Sequence, residues 1–106
     1  MAKYHLMKRI EVIAEIPMVR AITEKLDRAR VPGYSVLPII EGRGMDNSWN
    51  SQGQVSDTTN MIVILCIVDE SQADNVVDVI LSAVRDRIGF LTISDVYVVR
   101  PERFRV

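Results

Sequence analysis

Metal ligands and disulfide partners are nearly absent from this sequence of 106 residues. It has one cysteine, Cys66, and one histidine, His5, far apart along the chain. A single cysteine excludes an internal disulfide, and a zinc site needs several ligands at short spacing. We therefore expect no bound metal, and a reducing compartment, the cytoplasm, as the location of the protein.

An excess of charge of either sign is also missing, because 13 Lys and Arg residues are balanced by 14 Asp and Glu residues, for a net charge of −1. Binding of nucleic acid or anionic lipid over a whole surface needs a basic excess, so no nucleic-acid partner is expected. Aromatic residues are scarce, and an RNA reader on this kind of fold would need several on its central strands, where Tyr97 alone is a plausible stacking residue.

Long apolar runs are missing too. The longest, Met61 to Val68, is far too short to span a bilayer. Charged residues at positions 8, 9 and 11 argue against a signal peptide. A chain of this length buries roughly two-thirds of its unfolded surface, which supports one core. We expect a single domain over 1–106, too small for a deep active-site cleft within one chain.

The first half of the chain shows the periodicity of a strand, a helix and a second strand. Alternation predicts a strand over 6–16, and Pro17 then suits the first turn of a helix that ends at Pro32-Gly33. A second strand is predicted over 34–40, where Pro38 indicates an edge position or a bulge. The predicted buried positions are Leu6, Ile10, Val12, Ala14 and Ile16 on the strand and Val19, Ile22, Leu26 and Ala29 on the helix.

The second half repeats this order after a long polar segment, 41–60, which reads as one loop without periodicity. A central strand follows over 61–68, and then a helix for which Asp69 and Ser71 are N-cap candidates, with Ser71 and Asp74 spaced as a capping box. The helix presents Val76, Val77, Ile80, Leu81 and Val84 as its apolar face. A last strand over about 91–99 completes an α+β, ferredoxin-like βαββαβ sandwich with a long loop between strands 2 and 3.

Catalytic motifs are not evident. No nucleophile–base pairing or Gly-x-Ser-x-Gly occurs, and the carboxylates are scattered, so catalysis by one chain is not expected. Cys66 lies inside an apolar strand and is interpreted as a small buried hydrophobe. A small enzyme with its site between subunits remains an alternative.

Glycines and arginines at the ends of elements could hold an anion. Gly42, Arg43 and Gly44 open the long loop, where they are either turn residues or an anion-binding backbone. Arg87 and Gly89 follow the second helix, where a cation also complements the helix dipole. Arg100 and Arg103 lie near the C-terminus and could clamp a phosphate or belong to a solvated tail.

Trp49 is the one tryptophan, and it lies in the middle of the polar loop. A large aromatic without apolar neighbours along the chain is often a contact for a partner, and the alternative is that it packs onto its own domain.

The arrangement resembles the PII signal-transduction family over roughly 8–103. Four short matches carry the resemblance. Val31-Pro32-Gly33-Tyr34-Ser35-Val36 is similar to the family's helix-to-strand passage, and Gly42-Arg43-Gly44 to the glycine pair at the base of its T-loop, here about 42–60. Arg87-Ile88-Gly89 is similar to the start of its phosphate-binding B-loop. Asp95-Val96-Tyr97-Val98-Val99-Arg100 is similar to its last core strand with a terminal arginine.

The resemblance implies a nonenzymatic homotrimer that binds adenine nucleotides in clefts between subunits and regulates a target protein through the T-loop. Ser35 would meet the adenine, with the backbone around Cys66. The nucleotide phosphates would lie near the T-loop base and the B-loop. The residues implied there are Gly42, Arg43, Gly44, Arg87, Ile88 and Gly89, with Arg100 and Arg103 reaching across from a neighbouring subunit.

Departures from the family pattern narrow these expectations. Phe90-Leu91-Thr92 follows Gly89, so a further glycine and a second B-loop cation are missing, and ADP, AMP or cyclic AMP should compete well with ATP. Residues 42–60 contain no tyrosine to be uridylylated and no evident 2-oxoglutarate site. The pattern is closer to the PII-like branch of inorganic-carbon uptake and carboxysomes, with bicarbonate as a co-ligand and a transporter or carboxysome component as target. The alternatives are a divalent-ion-tolerance type of metal-binding trimer and a nitrogen-regulatory PII protein of the usual kind.

Overall fold

The computed structural model describes residues 4–43, 48–50, 61–84 and 88–99. Their strands are β1 (His5–Glu15), β2 (Ser35–Pro38), β3 (Glu41–Arg43), β4 (Ser48–Asn50), β5 (Met61–Val68) and β6 (Ile88–Val98). Two helices, α1 (Val19–Arg28) and α2 (Glu70–Val84), connect them, and a 3-10 turn over Ile16–Met18 leads into α1. No helix in these ranges is long and apolar enough to cross a membrane.

Four strands form one antiparallel sheet in the order β2-β5-β1-β6. This order, with one helix after β1 and one after β5, is the ferredoxin-like fold, so the predicted fold class is confirmed. β2 is an edge strand, as Pro38 indicated, since proline cannot donate a ladder hydrogen bond. β6 begins at Ile88, earlier than the predicted start near 91.

The core lies between the helices and one face of the sheet. Because paired residues share a face, that face includes Ile10 of β1 and Cys66 of β5, which lie opposite each other. Both helices bury their apolar faces there. The buried cluster consists of Ile10, Val12, Ala14, Met18, Ile22, Leu26, Ile62, Ile64, Cys66, Val68, Ala73, Val76, Ile80 and Val84.

Two predicted core positions are wrong. Leu6 is 41% exposed because it lies at the end of β1, opposite the exposed Tyr97 of the edge strand. Leu81 is 43% exposed, and Ala73 instead completes the buried face of α2 with residues three or four positions apart. Four charged residues of α1 are exposed, namely Arg20, Glu24, Asp27 and Arg28.

Backbone hydrogen bonds close the end of α1, and a side chain caps the start of α2. At the end of α1 the N–H of Val31 donates to the Leu26 carbonyl and the N–H of Arg30 to the Asp27 carbonyl. These bonds form a Schellman motif, with Arg30 at φ 57° in the position that glycine usually takes. At the start of α2 the Asp69 carboxylate accepts from the Ser71 N–H at 3.1 Å and from its hydroxyl at 2.7 Å. Asp69 is therefore the cap, and the capping box predicted for Ser71 and Asp74 is wrong.

The segment predicted as one loop over 41–60 contains paired backbone. β3 and β4 form a two-stranded antiparallel ribbon in which Gly42 lies opposite Trp49 and Arg43 opposite Ser48. The expectation of a loop without secondary structure is wrong for these residues. A short ribbon of this kind buries little apolar surface, so its residues need not alternate between apolar and polar. The sequence therefore carried no signal for this pairing.

Candidate functional site

A cavity of about 310 Å³ lies between the start of β2 and the middle of β5. It brings together Ser35 and Cys66, the two residues that the sequence predicted to lie around one ligand. Its remaining lining consists of Pro32, Gly33, Tyr34, Leu65 and Ile67.

The register of the sheet explains why the cavity lies there. β2 pairs with β5 from Pro38–Ile62 to Ser35–Leu65, whereas β5 runs on to Val68. The Ile39 N–H donates to the Met61 carbonyl, so Met61 directs its backbone groups toward the β2 side. Backbone groups alternate along an antiparallel strand, and Ile67 therefore points its N–H and C=O to the same side, beyond the last β2 pair. β2 does not pair with Ile67 in the described residues, so the amide and carbonyl of Ile67 can form the paired hydrogen bonds that a planar heterocycle offers.

Gly33 lines the cavity and has open space around it. A Cβ built at this residue meets no other atom within 4 Å, and its φ lies outside the left-handed region. Neither packing nor backbone strain therefore requires glycine here. A side chain at Gly33 would instead extend into open space beside the cavity that this residue lines.

Cys66 contributes its backbone rather than reactive sulfur. Its side chain faces the core and is buried, and burial raises the pKa of the thiol to about 11. The thiol is therefore protonated at neutral pH and is a poor nucleophile. This agrees with the interpretation of Cys66 as a small buried hydrophobe.

One row of paired residues connects the end of β2 with the start of β6. Pro38 pairs with Ile62, Ile62 with Ala14, and Ala14 with Ile88. The chain leaves β2 at this row and continues into β3, which contains Gly42 and Arg43. Gly42 and Arg43 thus follow the same end of the sheet at which Ile88 and Gly89 begin β6.

The far end of β6 lies well away from this row, at the pair of Val98 with His5. The ten intervals between its eleven residues, at about 3.3 Å each, place the two ends of β6 roughly 33 Å apart. Of the residues predicted to bind phosphate, Gly44, Arg87, Arg100 and Arg103 lie outside the described ranges, as does most of the predicted loop. Their predicted roles stay predictions.

Five cavity residues were not assigned to the site individually from the sequence, although three of them belong to the quoted passage before Ser35 and two flank Cys66. Pro32, Gly33 and Tyr34 immediately precede Ser35, so the short extended stretch before an edge strand was an available signal. Leu65 and Ile67 flank Cys66. Their position in the cavity could not be predicted, because an apolar run does not show where the neighbouring strand ends.

Charged side chains near the sheet form ion pairs. Lys8 contacts Asp95 on the neighbouring strand, and this hydrogen bond raises the pKa of Lys8. Arg9 contacts Glu11 at 2.8 Å. Over the ranges given above, no group of three or more His, Cys, Asp and Glu residues could hold a metal ion.

The fold and the edge cavity define a ferredoxin-like protein with a candidate ligand site beside a short edge strand. Residues 7–103 match the family described as Nitrogen regulatory protein P-II. The chain therefore belongs to the P-II family of signalling proteins, as its motifs predicted. No curated protein sequence matches the chain.

Solved structures of PII-like proteins share the fold. CPII of Thiomonas intermedia K12, a nitrogen regulatory PII-like protein bound to ADP, AMP and bicarbonate, has a TM-score of 0.87 at 24% identity, covering 100% of both chains. CPII bound to ADP and bicarbonate has a TM-score of 0.81 at 26% identity, covering 99% of this chain and 100% of the other. The PII protein of Arabidopsis thaliana bound to citrate is less similar, with a TM-score of 0.63 at 16% identity, covering 82% and 74%.

Proposed function

We propose that this protein is a nonenzymatic homotrimeric sensor of adenine nucleotides in the cytoplasm. ADP or AMP, and with lower preference ATP or cyclic AMP, binds between subunits, with bicarbonate as a further ligand. The occupied site changes the segment 42–60, which regulates a target protein of inorganic-carbon metabolism, a transporter or a carboxysome component.

The cavity beside β2 is the observation that carries this proposal. Its size, about 310 Å³, lies at the lower end of the range for small-molecule sites. Apolar walls from Leu65, Ile67 and Tyr34 suit a flat base, and the Ser35 hydroxyl and the Ile67 backbone supply donors and acceptors at its edge. This combination supports an uncharged heterocycle in the cavity, with the charged part of the ligand outside it.

The length of β6 supports a site shared between copies. β6 begins directly after Arg87 in the sequence and ends shortly before Arg100. Its two ends lie roughly 33 Å apart. That separation is longer than a nucleotide, so the arginines at the two ends of one copy do not clamp the same phosphates. A second copy that supplies Arg100 and Arg103 removes this difficulty.

The early start of β6 supports a preference for few phosphates. Ile88 and Gly89 are already strand residues, and Phe90 pairs with Ile13. The backbone after Gly89 is therefore committed to the sheet and does not form a longer loop around a third phosphate. ADP, AMP and bicarbonate are the ligands of the similar CPII structures, which supports the same choice here.

The ribbon of β3 and β4 offers a route from ligand to target. Trp49 lies opposite Gly42 in this ribbon, so a backbone change at Gly42 or Arg43 on phosphate binding moves the segment that holds Trp49. We assign Trp49 to partner contact.

Calorimetry on the wild-type protein tests the ligand. ADP, AMP, ATP and cyclic AMP are titrated with and without bicarbonate, and with 2-oxoglutarate as a comparison. We expect ADP or AMP to bind most tightly and bicarbonate to change that affinity. Absence of binding in every mixture would overturn the proposal, and native mass spectrometry of the same sample measures the trimer.

Mixed trimers test whether the site is shared. Gly33→Leu blocks the cavity and keeps Arg100, whereas Arg100→Ala keeps the cavity, so each variant alone should bind nucleotide weakly. After subunit exchange, a cavity from one variant meets Arg100 from the other, and binding should return in part. A mixture that binds no better than its components would show that Arg100 does not act across subunits.

A further inference from the structure

β6 is an edge strand whose helix-side residues are only partly covered. Ile93 pairs with Ile10 of β1, and Tyr97 pairs with Leu6, so Ile93 and Tyr97 point to the side of the sheet that carries the helices. Ile10 is 1% exposed, whereas Ile93 is 48% and Tyr97 73% exposed. The helix layer therefore ends short of β6 in the described structure and leaves apolar side chains uncovered there.

One side of α2 borders these residues. The side-chain amide of Gln72 donates to the Ala29 carbonyl at 2.9 Å, so Gln72 marks the side of α2 that faces the end of α1. At about 3.6 residues per turn, three exposed residues lie on the opposite side of the helix, toward β6. The surface between the two elements, here called the α2–β6 strip, consists of Glu70, Asp74 and Leu81 of α2 and Ile93, Asp95 and Tyr97 of β6.

The α2–β6 strip has an excess of negative charge. Lys8 of β1 contacts Asp95, and this hydrogen bond is the main reason why the pKa of Lys8 is raised. The carboxylates of Glu70 and Asp74 raise this pKa further, because both lie near Lys8. Three carboxylates thus share one ammonium group, beside the apolar side chains of the strip.

The sequence that follows β6 has the complementary composition. Residues 100–106 read Arg-Pro-Glu-Arg-Phe-Arg-Val, with three arginines against one glutamate. Phe104 and Val106 are apolar and alternate with arginines. The segment lies outside the described ranges. By composition, a basic segment with apolar side chains matches an acidic strip with apolar side chains.

The segment also begins in the right place. Val98, at the end of β6, pairs with His5, and the His5 imidazole is 3.8 Å from the carboxylate of Asp69, the residue before α2. The chain therefore leaves β6 next to the start of α2. The seven residues of the segment span up to roughly 23 Å, which exceeds the roughly 13 Å from Tyr97 to Ile93 along the strand. The segment is long enough to turn and follow the strip.

We infer that residues 100–106 dock on the α2–β6 strip of their own chain while no nucleotide is bound. The arginines pair with the carboxylates of the strip, and Phe104 and Val106 cover Ile93 and Tyr97. Exposed ion pairs contribute little by themselves, so the apolar contacts hold the segment and the charges select the strip over other surfaces.

Docking and nucleotide binding exclude each other. Arg100 and Arg103 are the residues that bind phosphates in a neighbouring site under the proposed function, on which this part of the inference rests. The same side chains cannot contact the strip and the phosphates at once. The docked segment therefore reduces the apparent affinity for nucleotide in proportion to its population, and bound nucleotide uncovers the strip.

Disulfide cross-linking tests the docked position without nucleotide. Val106→Cys is combined with Leu81→Cys, or with Ser82→Cys as the matched control, in a Cys66→Ala background. Both helix positions are exposed, but Ser82 lies about 100° further round the helix, away from β6. Under mild oxidation we expect the Leu81 pair to form a disulfide within one chain on the order of tenfold faster than the Ser82 pair. A denaturing gel separates this product from chains that are linked to each other.

Equal rates for the two pairs would overturn the inference. A product that links separate chains would do the same, because a second copy would then cover the strip. ADP should slow the reaction of the Leu81 pair, and an unchanged rate with ADP bound would show that docking and nucleotide do not compete. If calorimetry detects no ADP binding, the proposed function fails, whereas the rates without nucleotide still decide the docking.

Nucleotide affinity supplies a second test. Phe104→Ser and Asp74→Lys weaken docking and keep Arg100 and Arg103, so both variants should bind ADP about three- to tenfold more tightly than the wild type in calorimetry. Glu24→Lys, on the exposed side of α1, makes the same change of charge as Asp74→Lys and should leave the affinity unchanged. This control accounts for the general attraction of a positive charge for ADP.

Thermal unfolding reports whether each variant folds, and Ile93→Thr, which removes an apolar contact of the strip, replaces Asp74→Lys if that variant does not fold. Folded variants that bind ADP no better than the wild type would overturn the inference and leave the proposed function in place.

Discussion

Ser35 lies opposite Leu65 in the last pair of β2 with β5, and the next residue of β5, Cys66, already lines the cavity. The end of an edge strand thus creates the candidate site. Because β2 has only four residues, β5 keeps backbone groups at its edge that no described strand pairs with. Polar recognition at this place can therefore come from the main chain, which substitutions do not remove.

Substitutions at Gly33 should separate binding from folding. We expect Gly33→Ala to have a small effect and Gly33→Leu to weaken nucleotide binding on the order of a hundredfold, since only the larger side chain fills the cavity. Calorimetry with ADP gives the affinity, and thermal unfolding should stay nearly unchanged because the added atoms meet open space. A large loss of stability in Gly33→Ala would show that glycine serves the fold instead.

Arg30→Gly should stabilise the protein. Arg30 has φ 57°, a conformation that costs residues with a Cβ energy that glycine does not incur. Glycine also gives the unfolded chain more conformational entropy, which offsets part of this gain. We therefore expect the free energy of unfolding, measured with urea, to rise by up to about 1 kcal/mol. Arg28→Gly, inside the last turn of α1, is the matched control and should cost about 0.5–1 kcal/mol. Equal destabilisation by both changes would contradict the Schellman assignment.

Stability should fall in alkaline solution because of Cys66. The thiol has its pKa raised from 9.0 to about 11, so between these values it ionises in the unfolded chain and stays protonated in the folded one. The unfolded state then binds fewer protons, and its ionisation lowers the free energy of unfolding as pH rises, by about 2 kcal/mol over this interval.

Urea unfolding at pH 8 and pH 10.5 measures this fall, with Cys66→Ala as the comparison. The variant should be less stable at pH 8, because a buried side chain is truncated, and it should show a shallower decrease with pH. An equal decrease in both proteins would assign the alkaline loss to other groups.

Asp69→Ala should destabilise the protein by about 1 kcal/mol, because the Ser71 N–H at the start of α2 loses its carboxylate acceptor. Asp74→Ala removes the acid of the predicted capping box and should change stability by less than about half of that. Thermal or urea unfolding of both variants decides between the two assignments. A greater loss in Asp74→Ala would favour the sequence-based capping box.

Periodicity predicted the elements well wherever one side of an element is buried. The run 61–68 matches β5 residue for residue, and Ile22 and Leu26 of α1 are fully buried as expected. The regular spacing of apolar residues does not show, however, which part of the sheet or helix is covered by another element. Leu6 and Leu81 have apolar side chains at regular spacing and are still exposed, because nothing in the described structure packs over them.

The candidate site was only partly predictable for a similar reason. Ser35 could be placed because it follows a recognisable passage at a strand start. Ile67 could not, since its role depends on β2 stopping two residues short of it, which is a property of strand register. The ribbon of β3 and β4 was missed because backbone pairing between polar residues leaves no pattern of buried side chains.

The position of β1 in the sheet also bears on how the chain folds. Both neighbours of β1, β5 and β6, follow it by many residues, and the His5–Val98 pair joins nearly opposite ends of the described chain. Such pairing gives a high contact order, for which folding takes about milliseconds to seconds. During synthesis β1 must wait for most of the chain before its hydrogen bonds can form. The last strand to emerge, β6, therefore completes the sheet, and until then the apolar residues of β1 lack their final cover.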